Sequence, residues 1–390
     1  MTFILLVAAT LSSGLLIGLI PTLLDGVQKP LQARLNLSEG RANWFVRLFY
    51  LTWLPAMPLA GYLVDLRSTR EILLFGLFAL ILGVAWLALV RSPRLLMLNA
   101  VFLGVAYSLV TVAAVRLMSM AFFPAKEDAD TKLNIASLNL GFVAVGLGAL
   151  IGPWVVAAIE RWWGFRQGLL YVSVALIIPA ALTALCELAP KVTTDVATWE
   201  EVFTQPQMIL LVGVILLYFA LENCLEFWPE SYLKELGYEN RGLQTAMLIF
   251  WLAFIASRAA AAWLLFEYRD YPQFAFGLTI VVVILSAAVL GNLVGGFDLG
   301  SGSLGFWLLG ACYGPLLPGF LGMALELYPK PLPVSILGAL LALSGLDTLL
   351  VRPLMTIFGK DLPARTLMRA PTVLALVLAA PLLLLAFWRY

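Results

Sequence analysis

The chain of 390 residues contains no histidine, and only 12% of it is charged. Without an imidazole there is no histidine proton relay, no histidine-ligated metal and no Ser-His catalysis. An ordinary soluble domain carries about 25% charged residues. Half that share cannot cover a water-facing surface of this size, so a soluble globular protein and a disordered one are both excluded. The three cysteines (Cys186, Cys224, Cys312) lie far apart, each in or beside an apolar segment. They form neither a disulfide framework nor a Cys-x-x-Cys site, and read as buried small hydrophobes. The net charge of +1 gives no sign of a nucleic-acid partner. Nor is there a nucleophile, metal-ligand or phosphate-loop constellation of the kind a membrane enzyme requires. The expectation is no enzyme, no metal and no cofactor.

What is present is apolar. Hydrophobic residues make up 62% of the chain, and mean hydropathy is +0.97. A transmembrane helix needs about 20 apolar residues. Twelve apolar segments can be marked, at about 3–29, 43–64, 72–90, 95–120, 134–158, 168–187, 207–228, 244–265, 273–294, 304–326, 334–358 and 371–388. They run continuously rather than in the alternating ten-residue stretches of a β-barrel. The first has no basic leader and is too long for a signal core, so it reads as a spanning helix. The expected architecture is an all-α polytopic membrane protein of twelve transmembrane helices.

The longest polar connection, 188–206, divides these helices six and six. The halves repeat weakly. Leu63-Val64-Asp65-Leu66-Arg67 leaves the second helix and Leu265-Phe266-Glu267-Tyr268-Arg269 leaves the eighth, each reading Leu-x-acid-x-Arg. Parallel six-helix repeats are a transporter plan. The expected organisation is therefore two pseudo-symmetric bundles, 1–187 and 207–390, joined by a linker at 188–206. With an even helix number both termini share one side. The terminal side carries eight lysines and arginines in its loops and the other side twelve, so the positive-inside rule places the termini outside.

The loop after the second helix, Gly61-Tyr62-Leu63-Val64-Asp65-Leu66-Arg67-Ser68-Thr69-Arg70, resembles the loop signature of the major facilitator superfamily, Gly-x-Leu-x-Asp-Arg-x-Gly-Arg-Arg. Gly61, Leu63, Asp65 and Arg70 match; Ser68 stands at the second glycine, and the first basic residue is shifted to Arg67. Gly61 allows close helix approach, and Asp65 can pair with arginines or cap the next helix. In that family the loop is cytoplasmic. The resemblance thus implies a multi-pass protein of the cell membrane with cytoplasmic termini, against the charge count, and a monomer working by alternating access.

Within the superfamily, the fucose/proton symporter branch is resembled in three places. Leu24-Asp25-Gly26-Val27-Gln28-Lys29-Pro30-Leu31-Gln32 resembles its first helix, where an aspartate is the proton-coupling acid. Leu133-Asn134, Ala136 and Leu138-Asn139 resemble the start of its fifth helix. Phe254-Ile255-Ala256-Ser257-Arg258 resembles its Gly-Arg eighth helix. The branch's glutamate in the fourth helix is missing, with Val110 near that position. A second resemblance lies in Gly148-x-x-x-Gly152-Pro153, which looks like the core of the drug/proton antiporter motif without its closing Gly-Gly pair. The same glycines also suit plain helix packing.

An ionisable residue at a helix centre costs about 2.5–3.5 kcal/mol on insertion scales. One near a helix end can snorkel instead. Asp25 and Glu222 are the expected proton-coupling acids. Glu222 and Glu226 share a face of the seventh helix, flanked by Asn223 and Trp228, and mutual repulsion favours protonation of one. Asp347 and Arg352 lie within the eleventh helix, about 140° apart around it. Arg47 and Arg352 are candidates to close an outer gate with these acids, while snorkelling or structural pairing also suits Arg47, Arg116 and Arg258. Gln28, Tyr107, Asn139 and Tyr218 complete the candidates for cavity or gate, and Gly61, Asp65, Arg67, Arg70 and Arg258 those for the conformational motif. Trp44 and Tyr313 are further aromatics able to stack on a solute. The expected function is proton-coupled uptake of a small polar solute such as a sugar. The alternative is proton-driven efflux of amphipathic compounds, and a non-transporting receptor on the same fold is a third reading.

Overall fold

The computed structural model describes residues 2–123, 133–186, 196–235, 237–269, 271–295, 302–327, 330–359 and 362–389. The side chains of some helical residues, Glu226, Asp347 and Arg352 among them, lie outside the described set. The described chain is helical, and each of the twelve apolar segments lies on helix.

The first helix is Thr2–Gly26, the second Glu39–Leu66, the third Thr69–Leu89 and the fourth Pro93–Ala121. The fifth, Asn134–Ala158, runs into a π-helical turn, Ile159–Trp163. The sixth is Phe165–Ala175 continued by Ile177–Leu185. The seventh is Pro206–Phe227, the eighth Asn240–Glu267 and the ninth Pro272–Gly295. The tenth is Gly302–Tyr313 continued by Leu316–Leu327, the eleventh Val334–Gly359 and the twelfth Arg369–Arg389. Among the described residues, 10 helices are long and apolar enough to cross a membrane. The second and twelfth bring the long helices to twelve. The second spans 28 residues, but Pro55, Pro58, Tyr50, Trp53 and Tyr62 lower its hydropathy. The apolar run of the twelfth is the shorter Arg369–Leu385.

Proline explains the interruptions. It has no N–H, so the carbonyl four residues earlier loses its helical partner. The first segment, read as 3–29, ends at Gly26, four before Pro30, and Gln28–Leu35 follows as a separate short helix. The sixth breaks after Ala175, four before Pro179, and the tenth at Gly314, four before Pro318. Pro21, Pro55, Pro58, Pro153, Pro353 and Pro381 stay inside continuous helices. The halves repeat this layout. Both the second and the eighth helix have 28 residues. A short helix, Gln28–Leu35 or Pro229–Glu235, follows both the first and the seventh.

Packing divides the chain into two units. The first contains Met1–Pro124, Ala144–Val196 and Leu332–Leu346; the second contains Ala125–Val143, Ala197–Pro331 and Asp347–Tyr390. The six-and-six division therefore carries one exchange in each half, at the start of the fifth helix and at the start of the eleventh. Within the first unit, a Cβ on Gly148 would lie 1.9 Å from the Leu15 carbonyl, and one on Gly18 would lie 1.9 Å from that of Val145. The first and fifth helices cross here backbone to backbone, which only small residues permit. In the 188–206 linker, residues 188–195 lie outside the described set. Trp199–Phe203 is a short helix closed by a capping box between Thr198 and Glu201. Lys330 reaches Glu201 at 3.6 Å.

Candidate functional site

In the first unit, Asp25 lies one residue before the end of the first helix and is exposed. The Tyr50 hydroxyl approaches its Oδ2 at 3.4 Å. Tyr50 stands edge-on to Trp53, with ring centres 4.7 Å apart, and Trp53 stacks on Tyr107 at 4.7 Å and 16°. Tyr107 is buried, and its hydroxyl donates to the Ile17 carbonyl at 2.9 Å. It therefore backs Trp53 rather than offering a free face. The Trp53 indole N–H is buried and has no hydrogen-bond partner among the described residues. Nearby on the same helix ends, Gln28 donates to Asn43 at 2.5 Å. Arg47 is exposed, with its guanidinium over the Trp44 ring at 5.9 Å.

In the second unit, Tyr218 and Glu222 are four residues apart on the seventh helix. The buried Tyr218 hydroxyl donates to Glu222 Oε1 at 2.9 Å. Phe320 of the tenth helix stands edge-on to Tyr218 at 5.7 Å. Asn223 is buried and donates to Phe219 O. Trp228 is buried where the seventh helix ends.

Arg258 does not snorkel. It is 3% exposed, with Nε donating to Gly314 O and Nη1 to Phe142 O, both at 2.8 Å. Its guanidinium lies over Phe254 at 4.2 Å. The Gly314 carbonyl needs this donor because Pro318 has none to give. Access to it exists because the eighth and tenth helices touch closely: a Cβ on Gly314 would lie 2.2 Å from Phe254 O. Asn139, in the same stretch of the fifth helix as Phe142, is buried and donates to Ile135 O. Its Oδ1 has no hydrogen-bond partner among the described residues.

The loop after the second helix holds two helix ends by opposite charges. Asp65 accepts the backbone N–H groups of Val334 at 2.8 Å and Ser335 at 3.0 Å. It thus caps the eleventh helix rather than the next one, whose capping was one of the two roles open to it. Ser68 caps the next helix, its side chain accepting from Glu71 N. Gly61 permits this arrangement, since a Cβ there would lie 2.3 Å from Val334 O. Arg70 donates to the carbonyls of Thr183 and Ala184 at the end of the sixth helix. An anion at an N-terminus and a cation at a C-terminus both complement the helix dipole. Arg67 is the exposed C-cap residue of the second helix.

The family model of the Major Facilitator Superfamily matches residues 2–346. The chain belongs to the Major Facilitator Superfamily. It is thus a transporter by family, not an enzyme, and a multi-pass membrane protein. Among solved structures it is similar to a variant of the E. coli fucose:proton symporter FucP, at TM-score 0.75 and 15% identity, with 100% of both chains covered. It is also similar to FucP described as a superfamily transporter in the outward conformation, at TM-score 0.78 and 15% identity, again over 100% of both chains. No curated protein matches the chain significantly. In this superfamily member Gly148 and Gly152 serve packing: the former meets Leu15 O, and a Cβ on the latter would lie 2.0 Å from Thr22 Oγ1.

Tyr50 and Trp53 escaped the sequence reading. Nothing in the sequence separates them from the aromatics of an interfacial belt. The available signal was their spacing of three, which places both on the helix face that meets Asp25.

Proposed function

We propose that the protein takes up a small polar solute such as a sugar together with protons, by alternating access, as a monomer with cytoplasmic termini. Asp25 is the coupling acid of the first unit and Glu222 that of the second. The observation that carries this reading is the Asp25 group. A carboxylate in a membrane-spanning helix receives a tyrosine hydroxyl beside a tryptophan whose buried N–H has no described partner. A hydroxylated solute supplies acceptors for such a donor and stacks on such rings. Asp25 attracts an arginine when charged and releases it when protonated, so the proton biases which side opens. The fold shared with a fucose:proton symporter supports this reading, whereas an amphipathic-efflux reading loses its sequence support once Gly148 and Gly152 act as packing residues. Asp347, Arg352 and Glu226 remain candidates for the same pathway.

The test is solute-driven proton uptake in proteoliposomes screened against sugars and dyes. Asp25→Asn is expected to abolish coupled proton movement while solute binding persists. Coupled flux that survives in this variant overturns the assignment of Asp25. A substrate whose transport never moves protons overturns the symport reading.

A further inference from the structure

The end of the first unit where the first, third and fifth helices finish is strongly basic. Lys29, Arg34, Arg41, Arg91, Arg94, Arg161 and Arg166 stand there against Asp25, Glu39 and Glu160. The corresponding stretches of the second half, counted from Glu226 as the first is from Asp25, carry five basic and six acidic residues. The excess is therefore local to one unit, and an orientation signal would be shared by both. The arginines among these residues are exposed. No ion pair among the described residues neutralises any of the seven basic side chains.

Arg34 draws the three connections together. Its Nη1 donates to Ala88 O at 3.2 Å, at the end of the third helix, and its guanidinium lies over the Phe165 ring at 5.1 Å, at the start of the sixth. Arg91 and Arg94 follow Ala88 closely in sequence, and Arg161 and Arg166 flank Phe165. The π-helical turn Ile159–Trp163 sits on this rim. It turns Trp162 outward, 78% exposed. Trp163 beside it stands edge-on to the exposed Tyr171 at 5.7 Å.

We propose that this rim binds the headgroups of anionic phospholipids. Two requirements meet here. A phosphate-bearing ligand is complemented by several unpaired guanidinium groups, which take phosphate oxygens two at a time. A lipid, unlike a soluble anion, also brings acyl chains to the level at which tryptophan and tyrosine rings pack. Exposed aromatic rings beside exposed arginines at the ends of spanning helices suit a lipid and not a free phosphate. This inference does not depend on what the protein transports.

The experiment places the purified full chain in phosphatidylcholine nanodiscs that hold a minority of bromine-labelled phosphatidylglycerol, and compares them with discs carrying the same bromine on phosphatidylcholine. The signal of interest is tryptophan quenching, with Trp162→Phe identifying the share due to this rim. The expected result is stronger quenching by the anionic lipid, weakened by salt. Neutralisation in Arg91→Gln, Arg161→Gln and Arg166→Gln together is expected to lower apparent affinity by about fivefold per arginine. The matching triple lysine variant keeps most of the binding and shows that the loss is one of charge and not of folding. Equal quenching by the two lipids overturns the proposal. So does enrichment that survives the glutamine variant, or competition by soluble glycerol phosphate.

Discussion

Each unit contains one segment from the opposite half of the sequence, and the two are held by opposite charges. The first unit holds the start of the eleventh helix with a carboxylate, Asp65, on the N–H groups of Val334 and Ser335. The second holds the start of the fifth helix with a guanidinium, Arg258, on the carbonyl of Phe142. The difference follows from where along the helix each contact falls. A helix start exposes free N–H groups, which only an acceptor can satisfy. Phe142 lies in the third turn of its helix, where every N–H is already engaged. Carbonyl lone pairs are all that remains there, and they call for a donor. Arg258 also serves a second element, at Gly314 O, whereas the hydrogen bonds that the Asp65 carboxylate accepts from Val334 and Ser335 both belong to one helix start. One segment is thus fastened by a cap at the edge of its unit, the other by a buried cation inside its unit.

The comparison predicts unequal losses. The largest belongs to Arg258→Met, which leaves Gly314 O and Phe142 O without that donor and is expected to cost about 3 kcal/mol of stability in detergent unfolding. Pro318→Ala restores an N–H to Gly314 O, so the double variant recovers part of the loss. Strict additivity in that double-mutant cycle breaks the account of why Arg258 is there. Next comes Gly61→Ala, whose methyl would lie 2.3 Å from Val334 O. It is expected to destabilise by about 2 kcal/mol, read in the same unfolding assay; a neutral result means that the second and eleventh helices do not meet at Gly61.

Asp65→Asn keeps the shape but removes the charge from the N-terminus of the eleventh helix. A loss of about 1 kcal/mol is expected, with faster amide exchange at Val334 and Ser335 and none of that change at Phe142. An equal response at both segments erases the distinction between them. The smallest effect belongs to Arg70→Gln. Its contact with the last carbonyls of the sixth helix is solvent-accessible, and a loss of about 0.5 kcal/mol is expected in the same assay.

Much of the scaffold was legible in advance. Twelve apolar segments lie on helices, because in a bilayer every backbone group must be satisfied within its own segment. The loop motif was legible too, down to Gly61 and Asp65, but the partner of Asp65 was not. A sequence shows that a carboxylate follows a helix; it does not show which of several helix starts folds back to it across 269 residues. For Asp25 and Glu222 the sequence proposed the acids and named Tyr218; the structure added Tyr50 and the contact within each pair. For Tyr107 and Arg258 it left the environment open. Tyr107 belongs to an inner wall, and Arg258 is buried among carbonyls instead of reaching for the membrane surface.

By itself, then, the sequence determined that the chain lives in a membrane and where its helices run. These properties arise from composition and from each residue's own backbone chemistry. Only the tertiary structure decided which helix ends meet and which cation answers the carbonyl that Pro318 orphans. Those are matters of distance between residues remote in sequence, and no local pattern records them.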